Sequence, residues 1–229
     1  MDARVNHSAY SDAVIAYLSE KYHEDFTVET VCQEFSGDTG NLVRLQCKGT
    51  KSDEIFTVRC YLDSKITPQL LKIDGKDYSV EDNYAEMLCQ NQLMQLLPVC
   101  EDVEYVLKCK VDFYGRQPTT EEFFQGLRTC LKKEELRAYV KIYIISNGNA
   151  EAQTLYRDIE QLISECDPNT AYVYFAIPEI YDAVVAEQIY ANNREDFGNY
   201  LANKADVKQL WFTLYETDSG LSGRKLIKG

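Results

Sequence analysis

The residues of this 229-residue chain whose types could do chemistry are eight cysteines, two histidines and 37 carboxylates against 24 lysines and arginines. A cysteine acts as a thiolate nucleophile or as a metal ligand, and both uses impose spacing. None of Cys32, Cys47, Cys60, Cys89, Cys100, Cys109, Cys130 and Cys166 forms a C-x-x-C pair, so the usual zinc and redox patterns are missing. His7 falls in an N-terminal tail and His23 at the end of a predicted helix, where neither is placed to activate a serine or cysteine. Adjacent carboxylates read as helix ends: Glu121-Glu122 opens one helix and Glu24-Asp25 follows another. Asn147-Gly148-Asn149 carries one glycine where a nucleotide loop needs several. Ser219–Lys225 has the wrong glycine spacing for a phosphate loop. Catalytic residues are therefore unknown, and neither a cofactor nor a metal site is expected.

Composition narrows the function classes further. The net charge is −13 and the sequence pI is near 4.7. A nucleic-acid binder displaces counterions with a basic stripe, so no nucleic-acid partner is expected. An anionic membrane is disfavoured for the same reason. No stretch approaches the roughly 18 consecutive apolar residues of a spanning helix, so no integral membrane segment is expected. Residues 1–10 carry no apolar core or cleavage signal. The expected location is cytoplasmic, with an exported protein shorn of its leader as the alternative.

Positioning elements follow from periodicity. Ser8 can cap a helix whose stripe is Tyr10, Ala13, Val14, Tyr17 and Leu18. Val43, Leu45 and Cys47 alternate, as do Phe56, Val58 and Cys60. Pairing Val43 with Cys60, Leu45 with Val58 and Cys47 with Phe56 places every apolar residue on one side of a hairpin. The stretch 64–83 reads as irregular, with a short strand near Leu70. A helix is predicted over 83–97 and a strand over 105–113, with Lys108, Lys110 and Asp112 on its polar side. Thr119 and Glu122 form a capping box before the stripe Phe123, Phe124, Leu127, Cys130 and Leu131. Helix and strand then alternate, with Asn149 as a cap and a helical stripe at Leu155, Ile159, Leu162, Ile163 and Cys166.

This pattern predicts an α+β fold: a two-layer sandwich of helices packed on a mixed or antiparallel twisted sheet, open to division into two subdomains. The expected boundaries are an N-terminal unit over 1–114 containing the hairpin, a C-terminal alternating unit over 119–217 and a flexible tail over 218–229. Most cysteines fall on apolar faces of these elements, as small buried hydrophobes do, so free buried thiols are expected.

The late strands offer one candidate site. Ala138, Val140, Ile142 and Ile144 mark one face with Val173, Phe175, Ile177, Leu210, Phe212 and Leu214. Tyr139, Tyr143, Tyr172, Tyr174, Trp211 and Tyr215 mark the other. Such rings give large contact area at low entropic cost, which suits an interface. A strand preference for tyrosine and partial cover by neighbouring chain account for the same pattern.

Residues Ala13–Phe26 (AVIAYLSEKYHEDF), and Phe56–Leu62 (FTVRCYL) followed by Val80–Tyr84 (VEDNY), resemble an uncharacterised family of Gram-positive bacterial proteins, often exported or lipid-anchored. The resemblance spans about the first hundred residues. Its members often place a glycine where His23 stands. It implies no activity and no functional residues.

Three readings stand at this point. One is a non-catalytic binding or interaction protein, with a protein partner or a homo-oligomer on the aromatic face. Another is a hydrolase-type enzyme with a carboxylate site between the two halves. The third is an acidic inhibitor or decoy for a basic protein.

Overall fold

The computed structural model describes residues 7–36, 40–62, 70–99, 105–116, 118–119, 121–122, 125–147, 150–178, 182, 184, 207–216 and 220–228. For 34–36, 40–41, 150, 207–212 and 220–228 it describes the backbone alone. The chain divides into two units: Met1–Leu88 with Thr119–Phe124, and Cys89–Pro118 with Gln125–Gly229. Each is built of helix on sheet, giving the α+β fold.

In the first unit, helix α1 (His7–Tyr22) lies against an antiparallel sheet of β1 (Phe26–Ser36), β2 (Gly40–Gly49), β3 (Ile55–Leu62), β4 (Leu70–Ile73) and β5 (Lys76–Asp82). The spatial order is β1-β2-β3-β5-β4. Helix α1 buries Tyr10, Val14, Leu18 and Tyr22. The β2–β3 ladder has the expected register, with Val43 opposite Cys60, Leu45 opposite Val58 and Cys47 opposite Phe56. All six side chains lie in the core. Tyr84, at the start of α2 (Tyr84–Leu96), centres an aromatic cluster with Tyr22, Phe26 and Phe56 at ring separations of 4.9, 5.1 and 4.6 Å. Each such pair contributes about 0.5–1.5 kcal/mol beyond its buried area.

A buried carboxylate ties these elements together. The Asp82 side chain, at the end of β5, is fully buried and accepts from Tyr22 Oη at 2.6 Å, Tyr17 Oη at 3.0 Å, Lys21 Nζ at 2.8 Å and the Tyr84 amide at 3.3 Å. Glu24 accepts from the Tyr84 hydroxyl and pairs with Lys51 at 3.1 Å. His23 ends α1 with φ 54°, and its amide bonds to the Ser19 carbonyl at 3.0 Å. That left-handed position is one that glycine adopts most readily. His7 is an exposed residue of the first turn of α1 rather than part of a tail.

The second unit holds β6 (Tyr105–Phe113), α3 (Leu127–Lys132), β7 (Ala138–Ser146), α4 (Ala150–Cys166), β8 (Thr170–Pro178), β9 (Val207–Glu216) and β10 (Gly220–Lys228). Its sheet runs β10-β9-β8-β7-β6, parallel only between β7 and β8, where α4 makes the crossover. Helices α3 and α4 pack on one face. Leu127, Cys130, Leu131, Leu155, Ile159, Ile163 and Cys166 are buried with Val140, Ile142, Val173 and Phe175.

Several expectations need correction. Strand β6 pairs along its length with β7, so it belongs to the second unit; the boundary falls inside α2, at Leu88/Cys89, and not at 115–118. The expected tail over 218–229 contains β10, which pairs with β9 despite its Gly/Ser/Lys composition, and so extends the unit set at 119–217. In the stretch 64–83, read as irregular, the short strand expected near Leu70 is β4, and the correction is β5, which joins it at Asp74-Gly75, whose φ values of 49° and 76° define a two-residue hairpin turn. The capping box is present, with Thr119 N bonded to Glu122 Oε2 at 2.8 Å and Glu122 N to Thr119 Oγ1 at 3.3 Å. Glu121 and Glu122 are helical, and α3 starts separately at Leu127, after Gly126 with φ 103°. Phe123, Phe124 and Asn149 lie outside the described residues. Among the described residues, no helix is long and apolar enough to cross a membrane.

Two tests follow from this packing. Asp82→Ala leaves Lys21 and two phenols without their buried acceptor and should lower the unfolding free energy by about 3–5 kcal/mol in a denaturant titration. Cys32 is exposed, whereas Cys47, Cys60, Cys89, Cys109, Cys130 and Cys166 are buried. Burial pushes the thiols of Cys47, Cys60 and Cys109 up to about 12. In a Cys100→Ser background, Cys32 should react with an aromatic disulfide reagent in the folded protein and the other six only on unfolding, as read by mass spectrometry.

Candidate binding face

The side of the second sheet away from α3 and α4 is set by strand parity. On β7 the even-numbered residues face the helices, so Tyr139, Lys141 and Tyr143 face away. The parallel ladder sets Tyr143 beside Tyr174 and Lys141 beside Tyr172. The antiparallel ladder sets Lys108 opposite Tyr143, Lys110 opposite Lys141 and Asp112 opposite Tyr139. Side chains directly opposite in a ladder share a face.

Five rings run in one row across this face. Tyr114 meets Tyr139 edge-on at 5.5 Å, Tyr139 meets Tyr172 at 5.3 Å, and Tyr172 stacks on Tyr174 at 6.0 Å. Tyr174 stacks on Tyr143 at 5.4 Å with planes 8° apart. The row is graded in exposure. Tyr143 is buried, as are its same-face neighbours Val106, Ile145 and Ala176. Tyr139, Tyr172 and Tyr174 are half-buried, and Tyr114 is 67% exposed. Polar groups lie beside the rings: Lys110 pairs with Asp112 at 3.1 Å, and Lys141 Nζ sits 5.2 Å from the Tyr139 ring centre. Desolvation, followed by the hydrogen bond and charge of Tyr172, raises the Tyr139 phenol well above its ordinary 10.0. The face is therefore aromatic and hydroxyl-bearing, and the Tyr139 phenol is neutral near pH 7.

Of the six expected residues, the structure brings Tyr139, Tyr143, Tyr172 and Tyr174 together. The other two do not join them. Tyr215 stands opposite Ala171 on the helix-covered side, is buried, and donates its hydroxyl to Asp167. Trp211 has the same parity and stands opposite Phe175 in the ladder; its side chain lies outside the described residues. The apolar triplet Leu210, Phe212 and Leu214 instead takes the positions opposite Ala176, Tyr174 and Tyr172. Strand β9 is amphipathic in the opposite sense to the expected one because its core side uses polar Thr213, which bonds to Glu160 and Tyr156 of α4. Lys108, Lys110, Lys141 and Tyr114 went unrecognised as part of the face. The alternation of β6 marked its two lysines as outward, but only the β6–β7 pairing puts them beside the tyrosines.

No group of three or more potential metal ligands converges among the described residues. The sequence matches no family model and no curated protein. The fold is similar to that of a crystal structure of a DUF5037 family protein from Ruminococcus gnavus, with a TM-score of 0.53 and 17% identity over 93% of this chain and 94% of that one.

The Tyr139 environment is open to a direct test. Because its folded-state value is raised, the associated stability is fully present below the unfolded phenol's 10.0 and is lost as pH rises through the folded value. In an ultraviolet titration of the folded protein, Tyr139→Phe should leave the absorbance step near pH 10.0 unchanged. In denaturant the same variant should lose one phenol's contribution to that step.

Proposed function

We propose that this chain is a binding protein that holds a partner against the tyrosine face of its second sheet. The observation that carries this reading is the continuous row Tyr114–Tyr139–Tyr172–Tyr174, with Tyr139, Tyr172 and Tyr174 half-buried on the paired strands β7 and β8 and the exposed Tyr114 just past the end of β6. Rings fixed on strands have little rotamer freedom left to lose, which lowers the entropic cost of binding. Support over the carboxylate-hydrolase reading comes from the buried acids. Asp82, Glu24 and Glu160 accept hydrogen bonds or form ion pairs with tyrosines, lysines and a threonine of their own unit, as anchors of packing do. Membership of the Gram-positive family that the first hundred residues resemble belongs to the same proposal; the fold shared with a protein of a Gram-positive bacterium supports it.

The test is a binding survey with arrays of peptides, oligosaccharides and oligonucleotides, run on the protein and on a Tyr139→Ser/Tyr172→Ser double variant of matched melting temperature. Binding of one class that the double variant loses is expected. Binding that survives in the double variant, or none at all, overturns the proposal.

A further inference from the structure

The lysines of the tyrosine face define the chemistry of what it meets. Lys110 and Lys141 are directly opposite in the β6–β7 ladder, and Lys108 stands one pair further along the same face. Like charges directly opposite are destabilising, and both of the paired lysines are half-buried. Lys110 has Asp112 as a partner at 3.1 Å. Lys141 lies over the Tyr139 ring, and no carboxylate pairs with it among the described residues. Three lysines against two carboxylates, Asp112 and the Glu216 that stands opposite Thr170 on the same face, leave the described strand residues of this face net positive on a chain of net charge −13.

We infer that the face takes an acidic peptide segment of a partner protein, whose carboxylates meet Lys110 and Lys141 while its apolar side chains lie on Tyr139 and Tyr172. This deepens the binding reading above and rests on it. Charge complementarity favours a short acidic segment over a long polyanion. A nucleic acid would extend beyond the lysines into the field of the acidic remainder, which repels it. A peptide offers a few carboxylates within a Debye length of the lysines. It also offers backbone carbonyls to the phenol hydroxyls and apolar groups to the rings, the contacts that tyrosine-rich binding surfaces use. Lys141 is the pivot: it lies between Lys110 on one strand and Tyr172 on the next.

The experiment is selection of random short peptides, displayed on phage, against the intact protein. Enrichment of sequences rich in Asp and Glu with interspersed apolar residues is expected. A synthetic copy of one enriched peptide should lose about tenfold or more in affinity on Lys141→Glu, and should bind more weakly as salt is raised. Lys141→Gln keeps the stem over the Tyr139 ring and should give a smaller loss, with the melting curve of each variant as the control for folding. Enrichment of neutral or basic peptides, no enrichment, or an acidic peptide indifferent to Lys141→Glu overturns the inference, as does tighter binding of an oligonucleotide. Neutral or basic peptides that are lost with Tyr139→Ser/Tyr172→Ser would overturn the acidic partner while leaving the tyrosine face in place. Peptides retained by that double variant would overturn both.

Discussion

The buried carboxylate of Asp82 is the constraint on which the first unit is organised. Removing an ionised carboxylate from water costs several kcal/mol unless its oxygens are fully bonded. Here two phenols, an ammonium and a backbone amide supply those bonds. Three of the donors lie on α1, at positions 17, 21 and 22, so satisfying the charge fixes both the rotation of the helix about its axis and its position along the sheet. The fourth is the amide of Tyr84, at the start of α2. One polar residue at a strand end thereby sets where a helix lies and where the next begins, while the apolar stripe of α1 supplies the bulk of the burial. Lys21 illustrates the economy of the arrangement: its ammonium bonds to Asp82 and also lies 4.9 Å from the Tyr22 ring centre.

The second unit solves a related problem on its helix-covered face. Glu160 of α4 is buried against the sheet and accepts from Thr213, which is also bonded to Tyr156. Asp167, just past α4, accepts from Tyr215 and pairs with Lys132 at 3.6 Å. These bonds require Thr213 and Tyr215 to face α4. Parity then commits the alternate positions of β9 to the opposite side. The composition of the tyrosine face is thus partly a consequence of where the core needed hydroxyls.

The sequence was most legible where one period ran unbroken. The β2–β3 register could be read residue by residue because Val43, Leu45, Cys47, Phe56, Val58 and Cys60 leave only one arrangement with all apolar groups inside. Strand β1 escaped notice for a physical reason. Its register shifts between Val28 and Thr30, so Phe26 and Val28 are the inward residues before the bulge and Val31 after it. A pattern that changes phase midway has no single period to detect. Strand β4 was legible near Leu70, whereas its partner β5 was obscured, despite the turn signal of Asp74-Gly75, because β5 buries polar Ser79 and Asp82 where an apolar alternation is sought. On β9 the alternation was correct and its sense was inverted. Leu210, Phe212 and Leu214 look like core residues by type, and only the three-dimensional demand of Glu160 for a donor places Thr213 inside. The four tyrosines of β7 and β8 were legible as a set; the lysines among them were not, because pairing partners cannot be read from one strand.

Two of the uses made of tyrosine contrast, and the contrast identifies the candidate site better than exposure alone. In the first unit Tyr17, Tyr22 and Tyr84 donate to buried carboxylates, and their rings pack in or against the core. Tyr215 behaves in the same way in the second unit. Such phenols fulfil an internal requirement, and their rings are positioned by it. On the sheet face the order is reversed. The rings are aligned by the ladder spacing, and Tyr139 and Tyr172 bond to each other. A row of aligned rings that continues out to a 67% exposed member, Tyr114, follows the sheet surface and not the geometry of any one buried charge. Seventeen tyrosines in one chain therefore do not constitute one signal. Those bonded to carboxylates explain the fold, and those aligned on β7 and β8 with lysines between them are what the fold presents.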